Sequence, residues 1–162
     1  TGGVGLVALE FALRSGALIF SSVGRPSKVA HVRALGATSA ASSRDTHTFM
    51  HGTGTTLIGW RLHFTLSALS KAFISTSLVL MSHTSRYLEV GKNNIWSEAR
   101  MGAAVACLPF RLVAADYQSM RWTHHCLAEL TTRAGSEVHP LPLVTFTFET
   151  SEMIRAFNGA CA

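Results

Sequence analysis

The sequence predicts an α/β chain built on a doubly wound parallel sheet, and three observations carry that expectation. Short apolar runs of strand length alternate with stretches of helical periodicity along nearly the whole chain. Several helical stretches stop on a glycine, the residue that most cheaply takes the left-handed conformation closing a helix. Apolar residues make up 48% against 14% charged, a balance that excludes general disorder and suits a sheet covered on both faces.

The elements follow in order. Gly3-Val4-Gly5-Leu6-Val7-Ala8 leads into Leu9, Phe11, Ala12 and Leu13, a helical apolar face that ends at Gly16. Leu18 to Ser22 reads as a strand. Pro26 then suits a first helical turn, and Val29, Val32, Ala34 and Leu35 continue that helix to Gly36. Residues Ser39 to Gly59 are the least periodic and are expected to hold one short helix within looping chain. Beyond them, Leu62–Leu66 reads as a strand, Phe73–Met81 as a helix, and Tyr87–Val90 as a strand closed by Gly91. A helix around Glu98–Cys107, a strand at Phe110–Ala114 and a longer helix over 119–134 come next. Leu143–Phe146 is a further strand, and Ser151–Phe157 a final helix stopped by Asn158-Gly159. About six strand signals with helices between them are the cadence of a parallel, doubly wound sheet.

With 162 residues the chain is long enough for one domain with a core and too short for two ordinary ones. Mean hydropathy is +0.27, yet no uninterrupted apolar run reaches the roughly 18 residues a membrane span needs. A net charge of +5 admits nucleic acid, a membrane surface or an anionic cofactor as partner. The basic residues form no block, and Trp60, Trp96 and Trp122 do not interleave with a basic stripe, which argues against nucleic acid. Cys107, Cys126 and Cys161 are odd in number and widely spaced, so a reducing, cytoplasmic compartment is expected.

The glycine pattern G-x-G-x-x-A carries chemistry. One glycine is expected to permit a tight turn, another to let backbone N–H groups approach a pyrophosphate, and Ala8 to let the helix sit close on the sheet. A glycine-rich turn would give the same letters, but the helix and strand that follow at once favour a dinucleotide. At the end of the second strand an NAD enzyme usually places an acid for the ribose hydroxyls. Here stand Ser21-Ser22-Val23-Gly24-Arg25-Pro26-Ser27-Lys28. Hydroxyls and two cations without a carboxylate suit the 2′-phosphate of NADPH, although a solvated turn with surface cations has the same composition. The candidate cofactor-binding residues are therefore Gly2, Gly3, Val4, Gly5, Ser22, Arg25, Lys28 and, at the end of a later strand, Gly91.

Several segments together resemble a known family. Gly2-Gly3-Val4-Gly5-Leu6-Val7-Ala8-Leu9, Val23-Gly24-Arg25-Pro26-Ser27-Lys28, Leu35-Gly36-Ala37 and Ser43-Arg44-Asp45 are similar to the enoyl reductase domain of modular polyketide synthases and animal-type fatty acid synthases. So are Leu69-Ser70, Phe73-Ile74, Arg86-Tyr87-Leu88-Glu89-Val90-Gly91-Lys92, Ile95-Trp96-Ser97 and Val138-His139-Pro140-Leu141-Pro142. They fall in order over nearly the whole chain, and Glu-Val-Gly-Lys followed by Ile-Trp-Ser is not a general dinucleotide-fold feature. The family is the zinc-independent, quinone-oxidoreductase-like branch of the medium-chain dehydrogenases.

The resemblance implies a Rossmann-like sheet and NADPH-dependent reduction of the α,β double bond of an enoyl thioester held on an acyl carrier protein. Hydride goes to the β-carbon and the enolate takes a proton at the α-carbon. It also implies that Lys92 and Asp116 assist protonation, and that Lys28 meets the 2′-phosphate. Other domains of the same synthase and a possible homodimer are the implied partners. A stand-alone quinone-oxidoreductase-like enzyme and a catalytically silent nucleotide-binding module remain the alternative readings.

Departures from the family are local. Ser67-Ala68 stand where Asn-Ser is usual, His63 replaces an Asp, and His83-Thr84-Ser85 replaces a Pro-Gly-Gly turn. Family members also place a strand directly before the glycine pattern and a GroES-like domain before that. Both are expected to be missing, so residues 1–162 read as a truncated dinucleotide-binding subdomain that folds poorly and is inactive alone. His47 and His51 are spaced i, i+4 and His124-His125-Cys126 cluster, but neither set has further ligands at metal-site spacing. Ser70 and Ser97 lack a nucleophile elbow.

Overall fold

The computed structural model describes residues 2–69, 72–114, 118–136 and 149–156. Within them the order is α1 (Gly3–Arg14), β1 (Phe20–Val23), α2 (Ser27–Ala34), β2 (Ser39–Ser42), α3 (Thr46–Leu57), β3 (Leu62–Ser67), α4 (Ala72–Leu80), β4 (Met81–Glu89), α5 (Glu98–Ala104), β5 (Phe110–Leu112) and α6 (Met120–Ser136), with a short 3-10 turn at Thr150–Glu152. Every strand pair is parallel. The strands form two sheets, β1-β2 and β3-β4-β5. The expected alternation and parallel pairing are thus present, with β1 and β3 unpaired to one another among the described residues.

Each sheet has its own apolar cluster. Leu9 of α1, Val23 of β1, Val32 of α2 and Ala37 pack together, with Leu13, Ile19 and Val29 against them. Ile74 of α4, Met81 and Tyr87 of β4, and Met101 of α5 form the second, joined by Leu62, Trp96 and Phe110. Removing such side chains from water supplies most of the favourable free energy of folding.

Three expectations need correction. The stretch Ser39–Gly59 holds a strand, β2, and a full helix, α3. Ser39-Ala40-Ala41-Ser42 has no β-branched or aromatic residue, so strand propensity is silent there; pairing with β1, from Phe20↔Ser39 to Val23↔Ser42, decides its conformation. α3 contains Gly52, Gly54 and five threonines, all poor helix formers. It forms because the Asp45 side chain accepts from the Thr48 N–H at 2.6 Å and because Thr53 and Leu57 are buried.

The glycine pattern is not a turn followed by a helix. The chain is helical from Gly3, capped by Gly2 in extended conformation, and none of these glycines has positive φ. Finally, β4 begins at Met81, six residues before the expected Tyr87. The register jumps from Leu62↔Met81 to Phe64↔Arg86, so His83-Thr84-Ser85 is taken up in a bulge without positive φ. The expected strand Leu143–Phe146 lies outside the described residues, as does Phe157 of the expected last helix.

Candidate functional site

α1 and β1 are joined by a short connection and share one apolar cluster, to which α1 gives Leu9 and Leu13, the connection Ile19 and β1 Val23. The helix therefore runs back along the strand, and its N-terminus lies towards the strand's carboxyl end. The first intrahelical bond there runs from the Leu6 N–H to the Gly2 carbonyl at 3.0 Å. That leaves the N–H groups of Gly3, Val4 and Gly5 without helical partners, the positive end of the helix dipole. A Cβ placed on Gly2, Gly3 or Gly5 would meet no atom within 4 Å. Space and donors for an anion therefore coincide, which is what a pyrophosphate requires. The glycines leave the backbone open at a helix start rather than forming a tight turn.

The cations lie at the same end of the strands. Arg25 and Lys28 are exposed in the turn after β1, which is closed by the Lys28 N–H donating to the Arg25 carbonyl at 3.0 Å. Ser22 is half-buried on β1 itself. A third cation, not singled out from the sequence as a site residue, joins them. Arg44 leaves the end of β2 and its Nε donates to the Gly24 carbonyl at 3.4 Å. Neighbouring Asp45 does not neutralise this corner, because its carboxylate faces the N-terminus of α3. Hydrogen bonds from Thr48 hold its pKa below the usual carboxylate value. The residues present thus fit a phosphorylated dinucleotide.

Gly91 and Lys92 follow β4, where doubly wound sheets place their ligand crevice. Lys92 is exposed. Asp116 lies outside the described residues, so its distance to Lys92 is not part of this site. Beside the turn is an open cleft of about 340 Å³ lined by Ala72, Ser75, Asn94, Ile95, Trp96 and Arg100. The Arg100 guanidinium stacks over the Trp96 ring, 4.2 Å from its centroid.

Beneath the turn lies a buried polar group that sequence reading missed. Ser67 ends β3, and Tyr87 and Glu89 share the inward face of β4 with Ser85; all four are buried. Glu89 Oε1 accepts from the Gly91 N–H at 2.7 Å, and Oε2 is 3.5 Å from the Tyr87 hydroxyl. Burial pushes the Glu89 carboxyl up, against the opposing pull of bonds from the Gly91 amide and the Ser67 and Tyr87 hydroxyls. Burial likewise pushes Tyr87 up to about 12, with a Ser67 bond opposing it and the Glu89 charge adding to it. The signal was available: Ser85, Tyr87 and Glu89 alternate with Arg86 and Leu88, a polar set at strand period.

Among the described residues no three His, Cys, Asp or Glu side chains gather to hold a metal ion, and no helix is long and apolar enough to cross a membrane. Rings of His47 and His51 stack with centroids 6.5 Å apart.

No family model matches the chain. It is 28% identical, across 99% of its length, to a mycocerosic acid synthase-like polyketide synthase of Mycolicibacterium smegmatis, and spans 8% of that protein. Its fold superposes on CurK enoyl reductase with a TM-score of 0.79 and 25% identity, over 98% of this chain and 48% of that one. The nucleotide-binding subdomain of the enoylreductase domain of PpsC from Mycobacterium tuberculosis has the same fold. There the TM-score is 0.72 at 24% identity, over 85% of this chain and 80% of the other.

Proposed function

We propose that this chain, similar over nearly all its length to enoyl reductase domains of polyketide synthases, is the dinucleotide-binding part of an NADPH-dependent enoyl reductase. Its substrate is a trans-2-enoyl thioester on an acyl carrier protein, and its neighbours are other domains of one synthase. The observation that carries the reading is the arrangement at the carboxyl ends of β1 and β2. Unpartnered amides at the start of α1 and the cations Arg25, Lys28 and Arg44 sit where a phosphorylated dinucleotide needs donors and positive charge.

Bound NADPH would supply the hydride. The amides of Gly3, Val4 and Gly5 hold the pyrophosphate, with Gly2 leaving room beside them. Arg25, Lys28 and Arg44, with the Ser22 hydroxyl nearby, take the 2′-phosphate. Gly91 lets the backbone pass close to the nicotinamide side. The Lys92 ammonium stabilises the enolate that forms on the substrate or donates its α-proton, and Asp116 holds and tunes that ammonium. Widely spaced cysteines, Cys107 and Cys126 being unpaired, support a cytoplasmic setting.

The test is NADPH oxidation by the full protein that carries this chain, with a crotonyl thioester on its carrier domain and, separately, with a small quinone. Turnover of the thioester is expected. Turnover of the quinone alone favours a stand-alone reductase, and turnover of neither refutes the enzymatic reading.

A further inference from the structure

Glu89 has no exposed surface, and nothing said so far of the reaction uses it. A carboxyl buried this completely is expensive unless its oxygens are hydrogen-bonded. Here the partners are the Tyr87 hydroxyl on β4 and the Gly91 amide in the turn that leaves β4, with the buried Ser67 at the end of β3 nearby. The bond to Gly91 is the shortest of those measured, at 2.7 Å. It turns the side chain back over the backbone two residues ahead, next to Lys92.

Contact around Gly91 is equally close. A Cβ added there would stand 2.7 Å from Glu89 Oε1 and 3.7 Å from Ile95 Cγ2. The first distance is shorter than real Cβ contacts allow, so a side chain here requires the buried carboxyl to move. The φ of Gly91 is not positive, and the requirement is therefore one of space, not of backbone conformation.

We propose that Glu89 is a positioning residue: its buried carboxyl, with the Tyr87 hydroxyl on one oxygen, clamps the Gly91 amide with the other and so fixes the direction in which the chain leaves β4 and presents Lys92. The proposal rests on the reading of Lys92 given above. It assigns Glu89 no contact with substrate or cofactor.

Glu89→Gln retains an oxygen acceptor for the Gly91 amide, whereas Glu89→Ala removes it. In the full protein, Glu89→Ala is expected to lose kcat by roughly tenfold to a hundredfold, the penalty of a misplaced reacting group. The KM for NADPH should stay within about twofold, because the phosphate-binding corner belongs to the other sheet. Glu89→Gln should restore most of kcat. Hydrogen exchange of the peptide spanning Gly91 provides a readout independent of turnover: faster in Glu89→Ala, near wild type in Glu89→Gln. Unchanged exchange in a folded Glu89→Ala protein overturns the clamp whatever its activity. Should that variant fail to fold, Gly91→Ala serves instead, since its methyl must displace Oε1. Normal exchange and normal kcat there overturn the proposal. A wild-type protein that turns over no enoyl thioester refutes the functional reading alone, and the exchange rates still decide the clamp.

Discussion

The Arg44 guanidinium reaches back from the end of β2 to the Gly24 carbonyl, Nε to O 3.4 Å, and so ties together the turns that follow the two strands of the first sheet. A positive charge held at that point faces the same solvent as Arg25 and Lys28, and no carboxylate of the described residues pairs with it. Lys28→Ala and Arg44→Ala are each expected to weaken NADPH binding by about tenfold to a hundredfold, the worth of one charge-assisted hydrogen bond. NADH binding should hardly move. Fluorescence titration of both nucleotides checks this. Equal affinity for NADH and NADPH, unaffected by either substitution, would refute the 2′-phosphate assignment.

Lys92→Ala and Asp116→Ala should lower kcat for the enoyl thioester while leaving NADPH affinity near wild type. General acid catalysis contributes on the order of a hundredfold to ten-thousandfold, so the effect of Lys92→Ala should fall in that range. Asp116→Ala, acting through the ammonium, should cost less. Steady-state NADPH oxidation on the carrier-bound substrate separates the two. Normal turnover in both variants removes the proton-donor assignment.

These residues also show what a sequence makes legible. Gly16 and Gly36 were readable as helix stops, and both close their helices with paired bonds. Ala17 N–H donates to Ala12 O and Gly16 N–H to Leu13 O; Ala37 N–H donates to Val32 O and Gly36 N–H to Arg33 O. That signal is local, as is the apolar face of α1. β2 was not readable, because Ser39–Ser42 becomes a strand only through its ladder to β1. Arg44 and Glu89 were visible as letters of a family pattern, but Arg44 acts on the Gly24 carbonyl, 20 residues away, and Glu89 is buried only once β4 lies between its neighbouring strands. Chemistry carried by adjacent residues reads directly; chemistry assembled across strands does not.

Tyr87 gives a prediction at high pH. In the unfolded chain its hydroxyl ionises near pH 10, and in the folded protein burial pushes it up to about 12. Between those values the unfolded state has released a proton that the folded state retains. Stability is therefore fully present below the lower value and falls as pH rises through the upper one. Tyr87→Phe lacks this linkage. Its urea midpoint should fall less steeply than wild type across that window, although lower at neutral pH for want of the hydroxyl's bond. Parallel alkaline limbs in the two proteins would contradict the buried-phenol account.

Gly36 and Gly16 allow strain and crowding to be separated. Both have positive φ, +106° and +71°, and alanine in that region costs about 1–2 kcal/mol. At Gly16 nothing lies within 4 Å of an added Cβ, whereas at Gly36 it would stand 2.9 Å from Leu13 Cδ2. Leu13 is partly buried against the cluster formed by Leu9, Val23 and Val32, so yielding disturbs that packing. Gly36→Ala should therefore cost roughly 1–3 kcal/mol more than Gly16→Ala, the usual penalty for overpacking a core. Urea unfolding of both variants in the full protein measures the difference. If the two cost the same, Leu13 shifts freely, and the contact between the end of α2 and α1 does not constrain the first sheet.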